Sequence, residues 1–125
     1  MQDSRSGYAS VNGLKMYYEI HGKGAPLVLI HGGGSTIQTS FGRVLHSFAK
    51  ERQVIAVELQ GHSHTPDINR PETFEQDADD VAALLKCLKI ENADFFGKQW
   101  WKHNSANCNS VSEFSAKNNF GFRVF

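Results

Sequence analysis

The stretch Leu27–Gly34 has the sequence LVLIHGGG, in which four apolar residues end at a histidine and three glycines. A short apolar run between the turn residues Gly24 and Gly32 predicts a strand buried on both faces, as in a parallel sheet that helices cover. Glycines let a loop approach an anionic oxygen closely and donate backbone N–H groups to it. The alternative interpretation of such a loop is a plain flexible turn.

The residues that precede this strand predict a β-hairpin. Asn12-Gly13 lies between two short runs, Tyr8–Val11 and Leu14–Ile20, in which apolar and polar residues alternate. Asn-Gly between such runs is the strongest short-range hairpin signal, because both residues tolerate positive φ. An antiparallel hairpin is therefore expected to open the sheet, and residues 1–6 before it are expected to be disordered.

Strands and helices are expected to alternate after the glycines. This order predicts an α/β fold with parallel strands joined by right-handed crossovers. The first helix is indicated by Phe41, Val44, Leu45 and Phe48, which have helical spacing. The expected elements are a helix over Phe41–Ala49 capped by Ser40, a buried strand over Val54–Glu58, a helix over Phe74–Leu88 and a short strand over Ala93–Gly97.

The helix over Phe74–Leu88 has the clearest pattern. Thr73–Gln76 has the form of a capping box, and an apolar stripe of helical period follows it. Asp77, Asp79 and Asp80 lie towards the positive end of the helix dipole. Because adjacent helical positions point in different directions, these aspartates are expected to form a solvated face and not a set of catalytic acids.

Composition excludes several classes of function. Thirteen basic and thirteen acidic side chains give a net charge of zero, so no field favours nucleic acid or an anionic membrane. No signal peptide or membrane-spanning run is found, which predicts a cytoplasmic protein. Cys87 and Cys108 lack metal-ligand spacing and are expected to be buried or incidental thiols and not a disulfide or a zinc site. No cofactor or metal is predicted, and the oligomeric state stays open.

The second apolar run ends in the segment Glu58–Ser63, with the sequence ELQGHS. A polar residue at a sharp strand exit commonly ties the loop to its own backbone. Glu58, Gly61 and His62 are therefore expected to build a structural turn, which requires no chemistry of Glu58.

Residues 7–97 resemble the N-terminal half of the α/β-hydrolase fold. The resemblance rests on the hairpin, the LVLIHGGG strand and loop, the Glu58–Ser63 turn, the long helix and a strand that ends at Gly97. It implies that His31, Gly32, Gly33 and Gly34 form the oxyanion loop after the third strand. In the family, the turn usually has an aspartate where Glu58 stands and a glycine where Ser63 stands.

The family pattern breaks at Gly97, where the resemblance implies a nucleophile elbow with the sequence Gly-x-Ser-x-Gly. The chain continues KQWWKH instead, and no such motif occurs in it. Back-translation of residue 98 onward, read one base later, permits Ser-Asn-Gly-Gly-Ser-Thr-Thr-Ala, which would restore the elbow after one lost residue. The sequence therefore predicts a frameshift after Gly97, and residues 98–125 are expected to be an irregular tail outside the family.

The resemblance implies descent from a serine hydrolase that acts on a small ester or related acyl substrate. In this family the nucleophile, the acid and the base all follow the fifth strand. None of the three is expected in this chain, so a truncated and inactive hydrolase is predicted. The alternative is a non-catalytic remnant that binds a small ligand or a partner.

Overall fold

A computed structural model describes residues 4–31, 36–71 and 74–97, which form one five-stranded sheet with helices on both faces. The predicted α/β fold class is confirmed. The elements in chain order are β1 (Ser4–Val11), β2 (Leu14–His21), β3 (Ala25–Ile30), α1 (Ile37–Phe41), α2 (Leu45–Ala49), β4 (Arg52–Val57), α3 (Phe74–Cys87) and β5 (Asp94–Gly97).

The strands lie in the order β1-β2-β4-β3-β5. β1 and β2 form the predicted antiparallel hairpin, and β2 also pairs antiparallel with β4. β3 lies between β4 and β5 and is parallel to both. The strand that contains Leu27–Ile30 is therefore central and parallel, as its apolar run predicts.

The hairpin turn has the expected backbone, because Asn12 has a φ of 52° and Gly13 a φ of 83°. β1 begins earlier than predicted. Ser4 pairs with His21 of β2, so residues 4–6 extend the hairpin and the expectation that they are disordered is wrong. Their polar side chains carry no hydrophobic signal, and pairing with β2 places them in the sheet.

The core consists of one apolar layer on each face of the sheet. Val28 and Ile30 of β3 pack on the α3 side, and Leu27 and Leu29 pack on the side of α1 and α2. All four side chains are at most 2% exposed. Alternate side chains of one strand thus enter two different layers, which explains why the run is apolar without interruption.

The single helix predicted over residues 41–49 is wrong, because two short helices occupy this region. α1 ends at Phe41, and the amide of Val44 then bonds to the carbonyl of Phe41 in a tight turn. A side chain at Gly42 would place its Cβ 2.5 Å from the Gln38 carbonyl oxygen, so the turn requires glycine. The apolar spacing therefore spans two helices, and Val44 between them is 40% exposed.

The predicted cap at Ser40 is also wrong. Thr36 caps α1, since its hydroxyl accepts a hydrogen bond from the Thr39 amide while the Thr39 hydroxyl accepts one from the Thr36 amide. α3 agrees closely with the prediction, and Val81, Ala82 and Leu85 of its apolar stripe are buried. Thr73 of its predicted capping box lies outside the described residues, as does the tail over 98–125.

Candidate active site

Three parallel strands end in one row at the same edge of the sheet. Ile30 of β3 pairs with Val57 of β4 on one side and with Gly97 of β5 on the other. His31 directly follows the last residue of β3, and Glu58 directly follows the last residue of β4. The carboxyl ends of parallel strands are where open α/β sheets bind their ligands, so this row is the candidate site.

His31 connects the exits of β3 and β4. Its side chain is fully buried, and its Nε2 accepts a hydrogen bond of 3.0 Å from the backbone N–H of Leu59. A backbone amide can only donate, so Nε2 carries no proton in this bond. Gly32–Gly34 lie outside the described residues, and their oxyanion role stays a prediction.

Glu58 connects the same turn to the first turn of α1. It is 2% exposed, and its Oε1 accepts from the backbone nitrogen of His64 at 3.0 Å and from the His64 Nδ1 at 2.9 Å. Its Oε2 accepts from the Ile37 amide at 3.4 Å. Glu58 thus holds together two segments that flank the candidate site.

The turn after β4 depends on two residues with left-handed backbone. Gly61 has a φ of 76° and Ser63 a φ of 45°. His62 donates its backbone N–H to Leu59 at 3.1 Å, and its Nδ1 lies 2.9 Å from the Gln60 carbonyl oxygen. These contacts support the structural role predicted for Gly61 and His62. Ser63 keeps the conformation that suits the family's glycine, at a steric cost that glycine avoids.

Thr65 is a buried polar residue of the turn, and no pattern in the sequence singles it out. Its hydroxyl donates to the Glu58 carbonyl oxygen at 2.7 Å and accepts from the Tyr17 amide at 2.9 Å. It therefore fastens the turn to β2, beside the antiparallel pairing of β2 with β4.

The solvated face predicted for the α3 aspartates is wrong for two of the three. Asp80 is fully buried and Asp77 is 8% exposed, whereas Asp79 is exposed. Asp80 forms an ion pair with Arg70 and accepts from the Asn12 side chain at 3.1 Å. The burial arises because the hairpin turn and the loop before α3 both close over this helix.

Electrostatic effects at the site include one group with a shifted pKa. Partial burial raises the pKa of Tyr17, and the hydrogen bond of 2.8 Å from its hydroxyl to Glu19 raises it further. The Tyr17 ring also stacks on His64, with 4.3 Å between the ring centroids. Protonated Tyr17 is thus favoured beside the exit of β4.

Residues 4–31, 36–71 and 74–97 contain no group of three His, Cys, Asp or Glu side chains placed to hold a metal ion. Cys87 is a free, exposed thiol at the end of α3. Across the same described ranges, the helices are too short or too polar to cross a bilayer.

Comparison with known proteins gives similar sequences and similar solved structures. A proline iminopeptidase of Clostridioides difficile is 33% identical over 101 residues, which are 75% of this chain and 34% of that protein. A hydrolase of Bacillus subtilis, uncharacterised, is 30% identical over 94 residues, 74% of this chain and 34% of its own. Epoxide hydrolase CorEH, in a structure without ligand, superposes with a TM-score of 0.82 and 25% identity, over 98% of this chain and 41% of that one.

The chain has the α/β-hydrolase fold. No protein-family model matches it. It spans about a third of the length of the curated relatives it matches, and it corresponds to the N-terminal portion of the α/β-hydrolase fold. The row formed by Ile30, Val57 and Gly97 is therefore an edge of an α/β-hydrolase sheet.

Proposed function

We propose that this chain derives from a serine hydrolase that acts on a small ester or related acyl substrate. The observation that carries the proposal is the pairing of Ile30 with Gly97. It puts Gly97, after which the family has its elbow, at the same sheet edge as Ile30, which His31 follows. An α/β-hydrolase needs its nucleophile elbow and its oxyanion loop side by side, because both act on one carbonyl group.

The backbone N–H of Gly33 or Gly34 would supply one half of the oxyanion hole, and the elbow would supply the other half. His31 supports this assignment because its ring is buried and hydrogen-bonded to Leu59. Because His31 is fixed in this way, the chain enters the glycine stretch from a defined position. Preorganised donors of this kind stabilise the charge that develops on the carbonyl oxygen.

The chain as encoded is proposed to be inactive as a serine hydrolase. Its sequence after Gly97 is KQWWKH, which offers no serine at the position of the elbow. Allowed codon choices give Ser-Asn-Gly there after a shift of one base, which supports a frameshift after Gly97 as the origin of the missing nucleophile. Hydrolase relatives support the ancestry, and no observation favours the alternative of a ligand-binding remnant.

The test compares this chain with a version whose reading frame is restored after Gly97, using a fluorophosphonate probe that labels activated serines. We expect no label on the encoded chain, because it lacks an activated nucleophile. The restored version should be labelled on the elbow serine, and alanine at that position should abolish the label.

Two controls make the result decisive. Ser35→Ala and Ser63→Ala in the encoded chain remove the serines nearest in sequence to the two loops of the site. A label on the encoded chain that either substitution removes would show that the nucleophile lies elsewhere. Sequencing of the locus gives an independent answer, since a gene in which the frame one base later does not read Ser-Asn-Gly after Gly97 would contradict the frameshift.

A further inference from the structure

Glu58 and His64 form a carboxylate–imidazole pair that the proposed serine chemistry does not use. The Glu58 Oε1 lies 2.9 Å from the His64 Nδ1. The two side chains differ sharply in exposure, because that of Glu58 is 3% exposed and that of His64 is 55% exposed. A buried carboxylate thus holds an imidazole whose ring extends into solvent.

This hydrogen bond determines which ring nitrogen of His64 is available. An ionised carboxylate can only accept hydrogen bonds, so Nδ1 carries the proton that it donates to Glu58. The neutral ring then has its lone pair on Nε2. The hydrogen bonds of His64 within the described residues use Nδ1 and the backbone nitrogen, and none uses Nε2.

The ring is also held in place. Tyr17 stacks on it with 4.3 Å between centroids and 26° between the planes. The backbone N–H of His64 donates to the same Glu58 oxygen that binds the His64 Nδ1. An imidazole with a fixed ring, a fixed tautomer and an open nitrogen has the arrangement that activated nucleophiles and bases share.

Other histidines of the described residues use their rings differently. The Nε2 of His31 accepts from Leu59 inside the core. The Nε2 of His21 lies 2.9 Å from Glu19, and the Nδ1 of His62 lies 2.9 Å from a backbone carbonyl oxygen. His64 combines an Nδ1 that donates to a buried carboxylate with an exposed ring.

We infer that His64 is an acyl-accepting residue, which takes the acyl group of small activated esters at Nε2 and passes it to water. Glu58 acts through His64 and is a positioning residue. This activity goes beyond the proposed serine chemistry, because it requires neither Gly32–Gly34 nor a residue after Gly97.

The reaction consists of two balanced steps. The Nε2 lone pair forms a bond to the ester carbonyl carbon, the bond from carbon to the leaving oxygen breaks, and the oxygen departs with its electron pair while the Nδ1 proton moves to Glu58. Water then adds to the carbonyl carbon and the bond from carbon to Nε2 breaks. Glu58 returns the proton to Nδ1 and the proton from water goes to solvent, so that ester and water give acid and alcohol.

The test measures release of p-nitrophenol from p-nitrophenyl acetate by the full chain. His64→Asn is the main variant, because its amide nitrogen can replace Nδ1 as donor to Glu58 while Nε2 is lost. We expect the rate to fall by at least about tenfold, because a positioned acid or base typically contributes about a hundredfold or more. His46→Ala, which removes an exposed imidazole on α2, should change it less than about twofold.

Acid quenching followed by peptide mapping locates the acyl group. The inference predicts that it is found on the peptide that contains His64 and is absent there in His64→Asn. It is overturned if His64→Asn reacts as fast as the parent chain, or if the label spreads evenly over the six histidines. Labelling of serine by the fluorophosphonate probe is a separate readout, so either proposal can fail while the other stands.

A positional role of Glu58 has a spectroscopic signature. ¹⁵N NMR of the imidazole should show the tautomer with hydrogen on Nδ1 in the parent chain and a changed tautomer ratio in Glu58→Gln. The ester rate should fall in Glu58→Gln, since an amide cannot take the Nδ1 proton, and should recover in part in Glu58→Asp. An unchanged tautomer ratio and ester rate in folded Glu58→Gln would refute the positioning role.

Discussion

The buried Nε2 of His31 accepts a hydrogen bond of 3.0 Å from the backbone N–H of Leu59, which joins the carboxyl ends of two adjacent parallel strands. The two residues are 28 positions apart in the chain. Because Leu59 is 1% exposed, its amide has no ready replacement partner in water. The edge of the sheet that carries the candidate site therefore depends on this contact.

Replacing this histidine should destabilise the protein. His31→Ala leaves the Leu59 amide buried without its acceptor, and this costs about 1–3 kcal/mol of unfolding free energy. Urea unfolding measures the loss, and hydrogen exchange of the Leu59 amide should become faster. His46→Ala, on the exposed face of α2, is the control and should change little. Unaltered protection of the Leu59 amide in His31→Ala would show that the imidazole does not hold this turn.

A glycine at position 63 should stabilise the protein. Ser63 has a φ of 45°, and left-handed backbone costs a residue with a side chain about 1–2 kcal/mol. Glycine removes this strain but loses more entropy on folding, so a net gain of about 0.5–1 kcal/mol is expected. Thermal unfolding measures it. The same substitution at Ser47, inside α2, should have the opposite sign. A loss of stability in Ser63→Gly would mean that the serine side chain contributes more than the strain it causes.

Asp80→Asn should be among the more damaging substitutions in α3. The side chains of Asp80 and Arg70 are 0% and 16% exposed, so the change leaves a mostly buried guanidinium without its counter-charge. Breaking a buried pair from one side costs about 3–5 kcal/mol. Asp79→Asn is the matched control on an exposed neighbour, and it should stay within about 0.5 kcal/mol in urea unfolding. Equal effects at the two positions would contradict the structure.

The raised pKa of Tyr17 predicts a specific alkaline sensitivity. The folded protein keeps the phenol proton at a pH where the unfolded chain has lost it. The contribution to stability is present below about pH 10, the usual pKa of tyrosine, and is lost as the pH rises through the folded pKa. Glu19 and Glu58 contribute, since negative charge opposes the phenolate. The free energy of unfolding, measured between neutral and alkaline pH, should therefore fall less steeply in Tyr17→Phe than in the parent chain.

Tyr8→Phe is the control for that experiment. Tyr8 contacts the Tyr17 ring at 5.5 Å between centroids, yet it is 54% exposed. Its loss should leave the slope of stability against pH close to that of the parent chain. A parallel alkaline slope in Tyr17→Phe and in the parent chain would show that the folded state does not favour the neutral phenol.

The sequence by itself determined the elements whose signals are local. The unbroken apolar run of β3 indicated a strand buried on both faces, Asn12-Gly13 indicated the hairpin turn, and the apolar period of α3 gave that helix to within a residue or two. Each of these signals depends on backbone preference and on the spacing of apolar residues over a few turns or pleats. Residues close together in the chain are enough to produce it.

Local patterns also explain where the sequence misled. The apolar spacing of Phe41, Leu45 and Phe48 is helical, but the steric need for glycine at position 42 divides the segment into two helices. The polar composition of residues 4–6 gave no strand signal, yet pairing with β2 supplies their hydrogen bonds. In both cases contacts across space outweigh the pattern along the chain.

Only the tertiary structure decided how distant polar residues are paired. Asp80 is buried because Asn12, 68 positions away in the chain, and Arg70 both reach it. Glu58 meets Ile37 because β3 and β4 lie side by side, and it orients His64 because the intervening turn folds back on it. A charged side chain can be buried only where partners offset the cost of its desolvation. Those partners lie on elements that only the assembled sheet brings together.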